Sequence, residues 1–295
     1  MSQAPDLITA QQLHASLDDP DLVVIDATYF LPGHKPAIEQ LYPEPVEIGR
    51  EAYERHHIPR AVFYDLVEFS RRDTAIPMMA LDSQEFARRI GELGVGDESR
   101  VVVYDHGEND WATRVRWNLA LEGFGRASVL DGGLPRWVAE GLETVSGTEQ
   151  NESRTFTSRR RPELLATMDD VRASMDDPDT VLIDALPEDM YQGRVDAYGR
   201  PGHIPGALNV PFGSLQDERG TAVSTDEVRR ALGEAGVVVG PSKRYITQCG
   251  GGVAATYVAM HLNRLGLDDV RVYDGSLMEW NADPSNAVVN PSEGC

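Results

Sequence analysis

Cysteine is nearly absent from this 295-residue chain: Cys249 and Cys295 are the only two, and Cys295 is the last residue. That scarcity excludes a disulfide framework and fits a reducing compartment. Lysine is equally rare, with Lys35 and Lys243 alone, so arginine carries almost all the positive charge. Positive charge is itself in deficit, because 27 Lys and Arg face 48 Asp and Glu for a net charge of −21. Such a chain offers little to phosphate backbones or acidic lipid surfaces, which argues against nucleic-acid and membrane-surface binding. A small anion at a locally positive site is not excluded. No apolar run reaches the ~20 residues of a membrane span. Met1 to Leu13 has no basic segment followed by an apolar run, so no secretory signal is expected and a cytoplasmic protein is. His and Cys do not cluster, and neither a metal nor a cofactor is expected.

What the chain does have is a long repeat. Val23-Val24-Ile25-Asp26-Ala27 recurs as Val181-Leu182-Ile183-Asp184-Ala185, each after a Leu/Met-Asp-Asp-Pro-Asp turn. His57-Ile58-Pro59-Arg60-Ala61 recurs as His203-Ile204-Pro205-Gly206-Ala207. Leu130-Asp131-Gly132-Gly133-Leu134 with Trp137 recurs as Tyr273-Asp274-Gly275-Ser276-Leu277 with Trp280. Three motifs in one order at nearly one offset mark a duplicated domain, since the period is far too long for a solenoid. The expected boundaries are 1–146 and 164–295, with a linker at 147–163 that has no apolar periodicity.

Inside each half, short Val/Ile/Leu runs alternate with helical patterns. The spacing predicts strands at Val23–Ala27, Ala61–Tyr64, Val101–Tyr104 and Ser128–Leu130, with helices at Ser83–Leu93 and Thr113–Gly123. The second half predicts strands at Val181–Ala185, Ala207–Val210, Tyr245–Gln248 and Val270–Tyr273. Alternation of this kind implies an α/β fold, a mostly parallel sheet with helices on both faces in each domain.

Cys249 lies in Tyr245-Ile-Thr-Gln-Cys-Gly-Gly-Gly-Val-Ala-Ala-Thr256. A strand leads into it, three glycines follow, and a helical pattern from Val253 to Leu265 closes at Gly266. In a turn of that type, backbone N–H groups can converge on the sulfur while the helix N-terminus adds positive potential. Both favour the thiolate, which is the nucleophile. The alternative is a buried structural cysteine beside a glycine turn. Three glycines at a strand-to-helix junction favour the functional reading.

With these motifs, nearly the whole chain resembles the tandem-domain rhodanese sulfurtransferases. The resemblance implies a catalytic C-terminal domain and a first domain with Asp105 at the cysteine position, an inactive copy that supplies a wall of the cleft. It implies transfer of a sulfane sulfur from a small anionic donor, thiosulfate or 3-mercaptopyruvate, to a thiophilic acceptor such as cyanide or a thiol. The route is a persulfide on Cys249, in two ping-pong steps. A thioredoxin-like acceptor is consistent with it. In this family the loop after the cysteine selects the donor, which makes Gly250, Gly251, Gly252, Val253 and Ala254 candidate substrate contacts. The neutral loop is closer to the mercaptopyruvate type. A Ser/His/Asp triad proposed for that type would lack its serine at Gly251 and its histidine near Met78.

Arg194, in Gln192-Gly193-Arg194, matches the family's donor-binding arginine, and Arg200 is a second candidate. A guanidinium fork suits a carboxylate or sulfonate. The competing reading for both is a surface arginine or an ion pair. His57 and His203 are read as loop-holding rather than catalytic. Asp26, Asp184, Asp131 and Asp274 are read as structural, Trp137 and Trp280 as core, and Arg159-Arg160-Arg161 as solvated. A Cdc25-like phosphatase would need an arginine closing the loop, and none stands between Cys249 and Thr256. A carrier or regulatory module that hands persulfide to a protein partner is the alternative to a turning-over enzyme.

Overall fold

The computed structural model describes residues 4–31 and 48–294. Lys35 and Cys295 lie outside the described residues. The chain divides into two compact units. The first comprises Met1–Arg71, Ala80–Arg161 and Glu218–Ala222, the second Arg72–Met79, Pro162–Asp217 and Val223–Cys295.

The first unit is built from β1 (Leu7–Ile8), α1 (Ala10–His14), β2 (Leu22–Asp26), α2 (Gly49–Arg55), β3 (Ala61–Phe63), α3 (Ser83–Glu92), β4 (Arg100–Tyr104), α4 (Asp110–Leu121), β5 (Ala127–Leu130) and α5 (Gly133–Ala139). The second repeats the plan with β6 (Leu165–Ala166), α6 (Met168–Ser174), β7 (Thr180–Asp184), α7 (Glu188–Tyr191), β8 (Leu208–Asn209), α8 (Thr225–Glu234), β9 (Arg244–Gln248), α9 (Ala254–Arg264), β10 (Val270–Tyr273) and α10 (Ser276–Ala282). Each sheet is five-stranded and parallel, ordered β1-β5-β4-β2-β3 and β6-β10-β9-β7-β8. The α/β expectation holds in both units.

Continuous apolar strands are what a parallel sheet covered on both faces requires. All of Leu22–Asp26 is buried, as are the last four residues of β4 and of β9. Helix starts follow local capping chemistry. Thr9, Thr167 and Ser224 each close a capping box, and the Asp82 carboxylate accepts N–H bonds from Gln84 and Glu85. α3 begins one residue after that cap, as its sequence pattern predicts. α4 starts three residues earlier than its apolar pattern, at Asp110, and β8 is shorter than the run Ala207–Val210.

The histidines of the repeated His-Ile-Pro motif are structural. His57 Nδ1 lies 2.8 Å from the Tyr53 carbonyl oxygen with its ring stacked on Tyr53, and the same pair recurs between His203 and Tyr191. Their backbones form antiparallel bridges to Val145 and Val289. Trp137 and Trp280 are core, each donating its indole N–H to a nearby carbonyl, Glu143 and Ala287.

Residues 151–161 carry no helix or strand but are held to the first unit. Phe156 is buried against Phe86 and Phe124, and the N–H groups of Arg154 and Arg159 donate to Gly91 and Glu122. The solvated reading of the arginine run fails at Arg160. Its guanidinium pairs at 2.5 Å with the carboxylate of Glu122, which is 1% exposed, because a buried charge needs a partner.

His261 on α9 is fully buried. Burial, followed by the charge of Arg264, pushes its imidazole down to about 3. The folded value lies below the unfolded one, so the unfolded chain takes up a proton first, and stability is lost as pH falls from 6.5 towards 3. By pH 5 this amounts to roughly 2 kcal/mol. Urea titrations at pH 7.5 and pH 5 should therefore show a smaller acid loss in His261→Phe than in the parent, by about that amount. The Asp184 carboxyl has the opposite sign between 3.8 and about 7, but it is common to both proteins and cancels in the comparison. Equal acid losses would remove His261 from the account.

Candidate catalytic turn at the end of the central strand

β9 is the middle strand of its sheet, with β10 on one side and β7 on the other. β7 passes on to β8 at one edge, while β9 leads to β10 on its other side, next to the edge strand β6. The crevice beyond the carboxyl ends of β7 and β9 is thus where the winding direction reverses, the preferred ligand position in such sheets. Asp184 ends β7, and Cys249 immediately follows β9.

Cys249 is 3% exposed. Its carbonyl accepts from Leu277 N–H, and its own N–H donates to Ser276 Oγ at 3.1 Å. The backbone N–H groups of Gly251, Gly252 and Ala255 reach the sulfur. Gly252 has φ +75°, a left-handed conformation that glycine adopts without a Cβ clash and that bends the chain into α9. The expected N–H cradle is present. The expected preference for thiolate is not, because burial dominates. Desolvation raises the thiol above its ordinary value, the Asp184 charge adds to this, and the N–H groups only partly offset it.

The first unit carries the same turn with a carboxylate in place of sulfur. Asp105 follows β4, its carbonyl accepts from Leu134 N–H, and its side chain is buried. Oδ1 accepts from Gly107 and Asn109 N–H, and Oδ2 from Ala112 N–H. The carboxylate fills its own cradle and offers no sulfur nucleophile. A cavity of about 320 Å³ elsewhere in this unit is lined by Arg116, Arg126, Arg159 and Arg161. Arg116 pairs with Asp6 and Arg126 with Glu98, so much of its positive charge is already neutralised.

Of the residues singled out by sequence, Cys249 and Gly250–Ala254 form one turn. Arg194 is half-exposed, with its guanidinium at 2.7 Å from Asp189 and 3.8 Å from Glu188. Arg200 donates to the carbonyls of Asp283 (3.4 Å) and Asn286 (2.8 Å). Neither arginine hydrogen-bonds the cysteine turn.

Three neighbours of the sulfur were not read as site residues from the sequence. Tyr198 packs its ring over Gly250 so closely that a Cβ there would lie 2.0 Å from Cζ. Asp184 does accept a backbone bond, from Leu186 N–H, as a structural aspartate should. Burial also raises its carboxyl to about 7, and its field reaches Cys249. Ser276 occupies a left-handed conformation, φ +49°, where its repeat partner is Gly133 at φ +54°. A non-glycine residue at such a position marks a strained site. The Gly-to-Ser difference between the two repeats was the available signal. For Tyr198 no local signal exists.

The family model described as a rhodanese-like domain matches residues 9–140 and again 167–283. The chain is 34% identical to the 3-mercaptopyruvate sulfurtransferase of Escherichia coli strain K12 over 93% of its own length and 94% of the relative's. It is 32% identical to the mitochondrial thiosulfate/3-mercaptopyruvate sulfurtransferase 1 of Arabidopsis thaliana, over 96% and 78%. Among solved structures, the SseA 3-mercaptopyruvate sulfotransferase of Escherichia coli superimposes with a TM-score of 0.81 at 33% identity, covering 92% of this chain and 99% of that one. Among the described residues no helix is long and apolar enough to cross a membrane, and no His/Cys/Asp/Glu group could hold a metal ion.

The raised thiol has a direct readout. In a Cys295→Ser background only Cys249 alkylates. The pH midpoint of its reaction with iodoacetamide should lie above that of the same protein unfolded in urea. A midpoint below the unfolded one would mean that the N–H cradle outweighs burial.

Proposed function

Because this chain belongs to the rhodanese-like sulfurtransferase family, we propose that Cys249 is its sulfur-carrying nucleophile and that it turns over a small anionic donor of the thiosulfate or 3-mercaptopyruvate kind. The observation that carries this is a single buried sulfur, met by three backbone N–H groups, at the switch point of the second sheet. The thiol proton leaves first, and the N–H groups of Gly251, Gly252 and Ala255 hold the thiolate. The thiolate attacks the donor's transferable sulfur. The bond from that sulfur to the rest of the donor breaks, and its electron pair departs with sulfite or with the enolate of pyruvate. The same N–H groups then bind the persulfide anion until an acceptor, cyanide or a thiol, takes the outer sulfur. A thioredoxin-like dithiol fits the acceptor step, and a reducing compartment such as the cytoplasm would keep Cys249 free.

Gly250–Ala254 form the wall against which the donor lies. Arg194 binds its anionic end by exchanging the exposed Asp189 partner for the donor. That exchange is cheap, because an exposed ion pair is worth about 1 kcal/mol or less. Arg200, committed to two carbonyls, supports the loop beside the site. A carrier that hands persulfide to a protein partner uses the same cysteine, and steady turnover with free cyanide or a small thiol separates the two readings.

Donor-treated protein should gain the mass of one sulfur, which cyanide removes, and Cys249→Ser should lose both the mass gain and turnover. Normal turnover in Cys249→Ser would sink the assignment. Arg194→Ala should load from donor about ten- to a hundredfold more slowly, the loss of one charge-assisted contact of ~1.5–3 kcal/mol. Pre-loaded Arg194→Ala should discharge to acceptor at the parent rate. Stopped-flow measurement of the two half-reactions checks this, and normal loading would leave Arg194 as a surface ion pair.

A further inference from the structure

Tyr198 is held above the reactive turn by contacts that have no other evident purpose. Its N–H and that of Gly199 both donate to Asp196 Oδ1, at 3.1 and 2.7 Å. Its carbonyl accepts from Asn281 Nδ2 at 3.1 Å, and the same amide nitrogen donates to the Arg200 carbonyl. Arg200 in turn is fixed to the carbonyls of Asp283 and Asn286. The loop is thus clamped at Tyr198 and Arg200 to the end of α10 and the residues after it, while Asp196 closes the turn on the other side of Tyr198. Gly250 completes the arrangement, because any side chain there would overlap the ring. The ring is half-buried, and its hydroxyl makes no hydrogen bond among the described residues. By contrast, the Ser276 hydroxyl beside the same cysteine is already committed to the Tyr273 carbonyl. Tyr198 therefore brings to the sulfur a side-chain donor with its proton uncommitted. Burial, and then the charges of Cys249 and Asp184, push the phenol up to about 12, so the proton stays on oxygen at neutral pH.

We propose that the Tyr198 hydroxyl donates a hydrogen bond to the leaving group of a 2-oxo-3-thiol acid, stabilising the enolate oxygen formed as sulfur passes to Cys249. The proposal rests on the reading of Cys249 given above. The Cys249 thiolate bonds to the donor's sulfur, the S–CH2 bond breaks, and its electron pair spreads onto the ketone oxygen. The phenol keeps its proton and donates to that oxygen. The methylene carbon then takes a proton from water, replacing the one Cys249 released, so that thiol and thiol donor become persulfide and 2-oxo acid. The enolate oxygen gains its charge during the step, so this contact is stronger in the transition state than in the bound donor and acts on kcat. Sulfite leaving from thiosulfate has no such oxygen, since its sulfonate is charged from the start. Tyr198 is thereby a determinant of donor choice.

Tyr198→Phe keeps the ring over Gly250 and removes only the hydroxyl. With 3-mercaptopyruvate its kcat should fall about ten- to a hundredfold with little change in KM, because a half-exposed donor contributes less than the 10²–10³ of an enclosed oxyanion site. With thiosulfate, kcat should stay within about threefold of the parent. Whole-protein mass after either donor should still reach one added sulfur. Equal losses on both donors would reveal a structural role and overturn the proposal, as would an unchanged rate with 3-mercaptopyruvate. A parent protein that loads from thiosulfate alone would also overturn it. A parent whose Cys249 gains no sulfur from either donor would remove the reading of Cys249 itself, and this proposal with it.

Discussion

Everything in the second unit is arranged around a few backbone N–H groups converging on one atom. At the start of a helix these donors have no intrahelical partner, and burial makes leaving them unsatisfied expensive. The turn after the central strand resolves this by presenting them to the residue that follows the strand. In one repeat that residue is Cys249, and in the other Asp105. The carboxylate gives the donors two acceptor oxygens and ends the matter there. Sulfur satisfies them less completely as a thiol than as a thiolate or a persulfide anion. The same cradle is thus a closed structural element in one unit and a site waiting for negative charge in the other.

Burial opposes the cradle, and the balance sets the chemistry. Nearly all of α9 from Ala254 to Leu262 is buried, and Cys249 sits beneath its first turn. Desolvation favours the neutral thiol, and the Asp184 carboxyl at the end of the neighbouring strand reinforces that preference. Asp184 is itself pushed up to about 7 by burial, so its charge is only partly present near neutrality. Two neighbouring acids are thus each raised by the same dry surroundings.

The approach of Tyr198 to Gly250 and the left-handed backbone of Ser276 are the two local costs of this arrangement. Gly250 has no Cβ because an aromatic ring occupies that space. Ser276 accepts an uncommon conformation and gains a hydroxyl placed to receive the Cys249 N–H. Gly133, its partner in the repeat, has no side chain to offer, and a Cβ there would lie 2.5 Å from the Asp105 carbonyl oxygen. The two units share a backbone, and they diverge where one of them carries Cys249 and the other Asp105.

Much of this was legible in the residues alone. Apolar runs such as Val23–Ala27 and Val181–Ala185 marked central strands, because a strand covered on both faces has no room for alternation. The duplicated motifs revealed two copies of one unit, and a cysteine before three glycines pointed to the strand-to-helix turn proposed as the sulfur site. These are local facts, set by the steric freedom of glycine, the periodicity of strands and helices, and capping chemistry. What the sequence could not determine was the sign of the thiol's shift, the partners of Arg194 and Arg200, and the tyrosine above Gly250. Each depends on segments far apart in the chain meeting at one point. Desolvation and electrostatic fields sum over whatever lies within a few ångströms, whatever its sequence number, and only the packed tertiary structure decides that.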